Sequence, residues 1–328
     1  MKEIRLGTVG SGPIVHKILD QAARIDGIRL AAVYSRGEDT GRALASKYGA
    51  KTVYTDMDAF LADGNVNFVY IATPNSLHYE QAKKALLAGK NVICEKPFCA
   101  RADQAGELVG LAKEKRLFLV DAVPTTFLPN FGVLQRELPK IGKVKLVQSN
   151  YSQYSSRYDS LLAGGLPNIF NPAYAGGCLM DINFYNVYLN VALFGSPIEA
   201  VYYPNLYNGM IDTSGVMVMR YDGFTSESAG AKDTWGENFF LIEGEQGYIY
   251  IANGSNGLSE VKVVTKASAE VFNEQPDPDR WYYEVRGLTE LVLSDDYGAA
   301  CARLDVTLDV IKVIETSRKR AGILFPGD

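Results

Sequence analysis

The first 122 residues alternate short hydrophobic, β-rich runs with segments in which apolar residues recur at helical spacing. This alternation is typical of parallel strands joined by crossover helices. Thr55 and Asn75 occupy positions where helix N-caps are expected, and Gly49 and Gly89 occupy positions typical of helix C-termini. Six strands are predicted, at residues 4–9, 30–34, 51–54, 68–72, 91–94 and 117–120.

After about residue 123 the β-rich stretches become longer and lack regular helical crossovers, which favours an antiparallel sheet. Helices are predicted near residues 178–194, 281–293 and 299–320. We therefore predict two domains. Residues 1–122 form an α/β Rossmann domain with a doubly wound parallel sheet. Residues 123–328 form an α+β domain with a large, open, mostly antiparallel sheet, and its last helix is placed to pack back on the first domain.

Composition narrows the class of protein. The 328 residues carry a net charge of -5, which disfavours nucleic acid as a partner. No secretory signal is evident, and no apolar run approaches the roughly 20 residues that span a bilayer. We expect a cytoplasmic enzyme without a membrane partner. The four cysteines form no Cys-x-x-Cys pair and there are only two histidines, so reduced thiols and no metal site are expected.

A glycine-containing turn, Gly10-Ser11-Gly12-Pro13-Ile14, follows the first predicted strand and precedes an amphipathic helix. Gly10 suits a tight turn, and Gly12 lets a pyrophosphate approach the backbone. Pro13 opens a helix whose N-terminus attracts that anion. Val15 stands at the third position of G-x-G-x-x-G/A, so the pattern is imperfect. The turn predicts a dinucleotide site; a ligand-free turn and a methyltransferase are the alternatives.

The end of the second strand indicates which dinucleotide is bound. Ser35 and Arg36 stand where NAD-selective folds often place an acidic residue. An arginine there offers positive charge and a planar donor fork to a 2′-phosphate. NADP is therefore favoured over NAD. The alternatives are that Arg36 is only a solvated surface residue, and that Glu38 or Asp39 reaches a ribose.

Three further segments, together with the glycine turn, resemble the glucose-fructose oxidoreductase, inositol dehydrogenase and MocA family. They span both predicted domains in the family's order. They are Ala72-Thr73-Pro74-Asn75-Ser76-Leu77-His78, Glu95-Lys96-Pro97, and Asn171-Pro172-Ala173-Tyr174-Ala175-Gly176-Gly177-Cys178-Leu179-Met180-Asp181-Ile182-Asn183-Phe184-Tyr185.

The first two segments follow strands four and five, at the edge where parallel sheets bind ligands. The resemblance implies that Lys96 lies between nicotinamide and substrate, although a lone lysine is usually solvated. Pro97 restricts the backbone of Lys96 toward extended geometry. Alternatives for the first segment are a helix cap and, for its histidine, packing. The resemblance implies cofactor contacts from Thr73, Pro74, Asn75, His78 and Glu95.

The third segment contains Asp181 and Tyr185, whose separation of four residues places them on one face of a helix. Many family members have histidine where Tyr185 stands. A tyrosine at this position is similar to the branch that contains glucose-fructose oxidoreductase and dimeric dihydrodiol dehydrogenase. A phenol with a pKa near 10 is a poor base at neutral pH, and the Lys96 cation would stabilise its phenolate. Asp181 would orient Lys96 or a substrate hydroxyl. Alternatively, Tyr185 belongs to an aromatic core with Phe184 and Tyr188.

Two positions depart from the family pattern. Thr126 replaces a frequent arginine, and Asn183 replaces a frequent glycine; the first is expected to reshape the substrate pocket, and the second the pocket or the helix packing. Tyr151, Tyr154 and Tyr158 are interpreted as strand-face packing, with a sugar pocket as the alternative.

The sequence thus predicts an oxidoreductase that transfers a hydride between NADP, or alternatively NAD, and a hydroxyl-bearing carbon of a sugar, cyclitol or dihydrodiol. Two other functions stay open: a non-catalytic sensor of NAD(P), and a glycosidase that uses tightly bound NAD. By analogy with the family, the C-terminal sheet is expected to form a homo-oligomer, a dimer or a tetramer.

Overall fold

The computed structural model describes residues 3–328, whose contacts divide them into two compact units. The first unit contains the residues up to Val123 together with Asp279–Leu308. The second contains Pro124–Pro278 and Asp309–Asp328. A later segment of the chain therefore belongs to the unit that contains the N-terminal sheet. Among residues 3–328, none of the helices combines the length and hydropathy that a membrane span requires.

The first unit is built on a six-stranded parallel sheet. Its strands are β1 (Ile4–Val9), β2 (Ile28–Tyr34), β3 (Thr52–Tyr54), β4 (Phe68–Ile71), β5 (Asn91–Glu95) and β6 (Leu119–Ala122). Its helices include α1 (Pro13–Ala22), α2 (Glu38–Tyr48), α3 (Met57–Ala62), α4 (His78–Leu87), α5 (Ala102–Lys115) and α9 (Arg280–Leu293). The strand order is β3-β2-β1-β4-β5-β6. This order confirms the doubly wound prediction and places the topological switch point between β1 and β4.

The helix termini of this unit confirm some cap predictions and contradict others. Gly49 ends α2 with a φ of 76°, as predicted for a C-terminal glycine. The prediction that Thr55 caps α3 is wrong by one residue, because the Asp56 carboxylate accepts the bond from the Ala59 amide at 2.7 Å. The prediction for Asn75 is also wrong. A 3₁₀ turn, Asn75–Leu77, precedes α4 and moves the start of the α-helix past Asn75.

The second unit is built on an eight-stranded sheet. Its strands are β7 (Val144–Ser152), β8 (Glu199–Tyr207), β9 (Ile211–Arg220), β10 (Thr225–Ala231), β11 (Phe239–Gly244), β12 (Gly247–Ala252), β13 (Glu260–Thr265) and β14 (Ala269–Phe272). The order is β14-β13-β12-β11-β7-β10-β9-β8, and only β7 and β10 pair in parallel. The prediction of a mostly antiparallel sheet is therefore confirmed.

Helices cover one face of this sheet. Along β11, Phe240 and Ile242 are buried, whereas Phe239 and Leu241 are partly exposed, which is the alternation of a sheet covered on one side. The helix predicted near residues 178–194 is a π-helical turn, Leu179–Asn183, continued by α8. The helices are α6 (Pro129–Glu137), α7 (Tyr158–Leu162) and α8 (Phe184–Phe194); α10 (Tyr297–Arg320) belongs to the second unit from Asp309 onward.

Candidate active site

The turn between β1 and α1 requires glycine at position 10. Gly10 has a φ of 114°, a conformation that L side chains rarely adopt. A Cβ atom at this position would lie 2.5 Å from the carbonyl oxygen of Ala72, the residue that follows β4. The switch point of the sheet is therefore formed by close approach of two backbone segments.

Gly12 is free of such a restriction from the protein. It occupies the N-cap of α1 with an ordinary φ of -74°, and a Cβ atom there would meet nothing within 4 Å. The helix begins at Pro13, has no side-chain cap and has no acidic residue in its first turn. An open helix N-terminus of this kind attracts anions, so the turn fits the pyrophosphate of a dinucleotide. Val15, which departs from the glycine pattern, is a fully buried residue of α1.

The end of β2 presents a positive charge. Arg36 is exposed and makes no hydrogen bond or ion pair with any of residues 3–328. Glu38, which was the alternative ribose contact, is instead paired with Arg42. Ser35 is buried, and its amide donates to the Tyr54 carbonyl at 3.0 Å. The guanidinium of Arg36 is therefore the group at this strand end that can donate hydrogen bonds to a 2′-phosphate.

His78 joins the turns that follow β4 and β5. Its Nδ1 lies 3.0 Å from the carbonyl oxygen of Pro97, and its Nε2 lies 2.9 Å from that of Thr73. The side chain is only 1% exposed, and burial lowers the pKa of His78. Thr73 is held further by its hydroxyl, which donates to Gln81 at 2.7 Å. His78 thus connects the Thr73-Pro74-Asn75 turn with the Glu95-Lys96-Pro97 turn.

Glu95 is a buried carboxylate in the second turn. Its carboxylate accepts a 2.6 Å hydrogen bond from the Tyr70 hydroxyl and a longer one from the Lys96 amide. Burial raises the pKa of Glu95. Burial and the charge of Glu95 together raise the pKa of Glu284, on α9, well above its ordinary value. Lys96 is half-buried and is followed by a cis peptide bond to Pro97.

Asp181 lies in the π-helical turn Leu179–Asn183, and its own amide donates to the Gly177 carbonyl at 3.2 Å. The turn is anchored by Asp212, whose carboxylate accepts from the Leu179 amide and from the Tyr202 hydroxyl, each at 2.7 Å. The prediction that Asp181 and Tyr185 share one face assumed a single α-helix. In the structure Asp181 lies in the π-helical turn and Tyr185 lies in α8.

Asp181 forms an ion pair with Lys232, a residue that the sequence interpretation missed. The side chain of Lys232 is 8% exposed and that of Asp181 is 21% exposed. Lys232 directly follows β10, in the sequence Ala231-Lys232-Asp233, and nothing in that local pattern distinguishes it from a solvated lysine.

Tyr185 is 7% exposed, and its ring lies edge-on to that of Tyr151 at a centroid distance of 6.0 Å. The Tyr151 hydroxyl accepts from Asn256 at 2.8 Å. Tyr154 instead stacks on the exposed Trp235, and Tyr158 contacts Phe170. Of the three tyrosines before the helix, Tyr151 alone makes a recorded ring contact with Tyr185 in the part of the chain that the structure describes.

The structure locates both departures from the family pattern. Asn183 is fully buried and donates to the Ser228 carbonyl at 3.0 Å. A Cβ atom on Gly230 would lie 2.6 Å from the Cβ of Asn183, so glycine on β10 makes room for the asparagine. Asn183 therefore acts in helix packing. Thr126 lies in the 3₁₀ turn Pro124–Phe127, and its buried hydroxyl has no hydrogen-bond partner among residues 3–328.

The predicted residues fall into two groups. The first unit holds all the candidate cofactor contacts and Lys96, at the carboxyl edge of its parallel sheet. The second holds Asp181 and Tyr185. Among residues 3–328, no group of His, Cys, Asp or Glu side chains is arranged to hold a metal ion.

A Rossmann unit with this turn, followed by an α+β unit with an open, mostly antiparallel sheet, is typical of a class of NAD(P)-dependent oxidoreductases. Residues 4–121 match the model of an oxidoreductase family with an NAD-binding Rossmann fold, and residues 139–250 match the GFO/IDH/MocA C-terminal domain. The chain belongs to the GFO/IDH/MocA family of oxidoreductases, as its resemblance predicted.

Relatives and a solved structure agree with this assignment. The chain is 33% identical, over 99% of both lengths, to scyllo-inositol 2-dehydrogenase (NADP(+)) IolU of Bacillus subtilis. It is 24% identical to the human trans-1,2-dihydrobenzene-1,2-diol dehydrogenase, over 92% of this chain and 91% of the other. The fold is similar to KijD10, a 3-ketoreductase from Actinomadura kijaniata in complex with NADP and TDP-benzene, with a TM-score of 0.85, 22% identity, and coverage of 99% and 100%.

Proposed function

We propose that this oxidoreductase uses Tyr185 as its acid/base and Lys96 as the cation that stabilises its phenolate, with NADP as the preferred dinucleotide and a cyclitol or sugar as substrate. The observation that carries the proposal is that one chain combines the open, uncapped turn at Gly12 with a nearly buried Tyr185. The relative named scyllo-inositol 2-dehydrogenase (NADP(+)) supports the substrate class. A dihydrodiol is the alternative substrate, because the human relative is named for one.

The dinucleotide, when bound, accepts or supplies the hydride at the substrate carbon. Gly12 and the N-terminus of α1 bind its pyrophosphate, and Arg36 binds the 2′-phosphate. The same proposal includes further contacts with the cofactor, from Thr73, Pro74, Asn75, His78 and Glu95.

During oxidation the phenolate oxygen of Tyr185 takes the proton of the substrate hydroxyl, and during reduction the phenol returns it. Lys96 stabilises the phenolate, which an isolated phenol forms only near pH 10. Asp181 accepts a hydrogen bond from a neighbouring substrate hydroxyl and so orients the ring. It does not need Lys96 as a counter-ion, because Lys232 supplies one within its own unit.

The test is Tyr185→Phe, which removes the phenolic oxygen and keeps the ring. Hydride transfer, followed by NADPH absorbance at 340 nm with a panel of cyclitols and aldoses, is expected to slow by at least about a hundredfold. Tyr188→Phe is the matched control, since Tyr188 is a buried tyrosine of the same helix. Unchanged turnover in Tyr185→Phe would remove it from the mechanism.

We also propose a cytoplasmic homodimer formed through the open face of the eight-stranded sheet, with a tetramer as the alternative. Strand register aligns Val201, Val218, Glu227, Gln148, Leu241 and Tyr250 in one row across that face. Apart from the exposed Glu227 these side chains are partly exposed, and the aliphatic and aromatic ones lie on both sides of the polar pair, a mixture that suits an interface between subunits. Val218→Arg together with Leu241→Arg is expected to yield a monomer by light scattering; an unchanged mass would contradict this interface.

A further inference from the structure

We infer that Lys232 is a positioning residue for the substrate: it holds the carboxylate of Asp181 in the orientation that receives a substrate hydroxyl. This inference rests on the proposed function, in which Asp181 binds that hydroxyl. It adds a residue to which the sequence motifs assign no role.

The backbone at Lys232 is held in place by the sheet. Its amide donates to the Thr213 carbonyl of β9 at 2.8 Å, which extends the β9–β10 pairing by one residue. The ammonium therefore projects from a hydrogen-bonded strand end. It pairs with Asp181 Oδ2 and lies 5.9 Å from the centre of the Phe170 ring. The long, flexible side chain is here confined by its ion pair and by packing.

Neighbouring carboxylates have other hydrogen-bond donors. Asp212 accepts from the Leu179 amide and the Tyr202 hydroxyl. Asp233 accepts from the hydroxyls of Thr213 at 2.7 Å and Ser214 at 3.0 Å. Of these three aspartates, Asp181 is the one that forms an ion pair with the Lys232 ammonium. The lysine is therefore dedicated to the carboxylate that the proposed function uses.

Exposure distinguishes the two ends of the ion pair. Lys232 is the more deeply buried partner, and Asp181 is the more exposed one. A buried ion pair is a weak source of stability, because desolvation offsets the attraction between the charges. It does restrict the carboxylate to one rotamer. A substrate hydroxyl then meets an acceptor that is already oriented, so less ordering is needed on binding.

The experiment measures steady-state kinetics of Lys232→Met with a turned-over cyclitol or aldose and NADP. KM for the polyol is expected to rise about tenfold while kcat changes less than about threefold, since the lost interaction is present in both ground and transition states. Lys232→Arg is expected to recover most of the affinity. The Kd for NADP should stay unchanged, and Lys266→Met, an exposed lysine of the same unit, should match the parent enzyme.

A second comparison separates positioning from a purely structural role. If Lys232 acts through Asp181, adding Lys232→Met to Asp181→Asn should not raise KM further, because the two effects share one interaction. The double variant also removes both charges together and leaves neither buried alone, so it keeps the test available if Lys232→Met alone does not fold.

Two results would overturn the inference: an unchanged KM in Lys232→Met, or a further tenfold rise of KM when that change is added to Asp181→Asn. If instead Tyr185→Phe and Asp181→Asn both retain full activity, the proposed function fails before Lys232 is considered. The two failures are therefore distinguishable.

Discussion

The turn after β1 and the π-helical turn before α8 both begin helices of the candidate site, but different interactions stabilise them. In the first, the backbone conformation of Gly10 and the proline that begins α1, Pro13, form the site within a few residues. In the second, the Leu179 amide is bound by a carboxylate 33 residues later. Asp181 is paired with a lysine 51 residues later.

The difference predicts where each region is sensitive to substitution. A site formed by backbone geometry depends on a single glycine, Gly10, because a Cβ atom there meets the Ala72 carbonyl. A site formed by long-range side-chain bonds spreads its dependence over several polar residues, each of which leaves a buried partner unpaired when removed. Four substitutions test this contrast.

Gly10→Ala is expected to have the largest effect on stability. Its Cβ atom would lie 2.5 Å from the Ala72 carbonyl oxygen at a φ that disfavours alanine. We expect a loss of about 3 kcal/mol in the free energy of unfolding, measured by urea titration. Gly12→Ala is the matched control: it should fold normally but bind NADP more weakly. Equal stability of Gly10→Ala and Gly12→Ala would contradict the backbone explanation.

Asn186→Ala tests the side-chain network of α8. The Asn186 side chain accepts from the buried Ser255 hydroxyl at 2.6 Å and donates to the Ala229 carbonyl at 2.9 Å. Its removal takes away the acceptor of the buried Ser255 hydroxyl and a donor to the Ala229 carbonyl, with an expected cost of about 2 kcal/mol. Asn190→Ala should cost about half as much in the same titration, since the side-chain amide oxygen of Asn190 already lacks a hydrogen-bond partner among residues 3–328. A larger loss for Asn190→Ala would indicate that volume, not hydrogen bonding, governs this helix.

Arg36→Ala tests whether the first region also uses side-chain charge. We expect the Kd for NADP to rise about tenfold, which corresponds to about 1.4 kcal/mol, while the Kd for NAD stays nearly constant. Fluorescence titration with both dinucleotides measures the ratio. Parallel weakening of NADP and NAD would remove Arg36 from the 2′-phosphate site.

Glu284→Gln is expected to have the smallest effect at acidic pH, because glutamine has the shape of a protonated glutamate, and it tests whether the first unit also contains a sensitive polar cluster. The pKa of Glu284 is raised in the folded protein, so the unfolded chain ionises first as pH rises. Stability of the parent protein should therefore fall between about pH 5 and pH 8 relative to the glutamine variant. Thermal unfolding at both pH values measures this; identical pH dependence would mean that Glu284 ionises normally. Glu95, whose pKa is also raised, keeps part of the dependence in both proteins.

Patterns within short stretches of sequence were sufficient for the architecture. Alternating strands and helices predicted the six-stranded sheet and the change to an antiparallel one, and Gly10 and Pro13 located the first turn. These features depend on backbone propensities of adjacent residues, which the linear order preserves. Cap positions were less certain, because Thr55 and Asp56 are both good N-cap residues and only the observed bond to Ala59 distinguishes them.

The tertiary structure alone decided the pairing of Asp181 with Lys232, the fit of Asn183 against Gly230, and the inclusion of Asp279–Leu308 in the first unit. Lysine and asparagine are exposed by default, so a buried one has no signature in its neighbours along the chain. Its partner lies many residues away and becomes adjacent only when the strands pair. The sequence by itself therefore determined the fold and the cofactor turn, whereas the polar contacts around Asp181 depend on long-range folding.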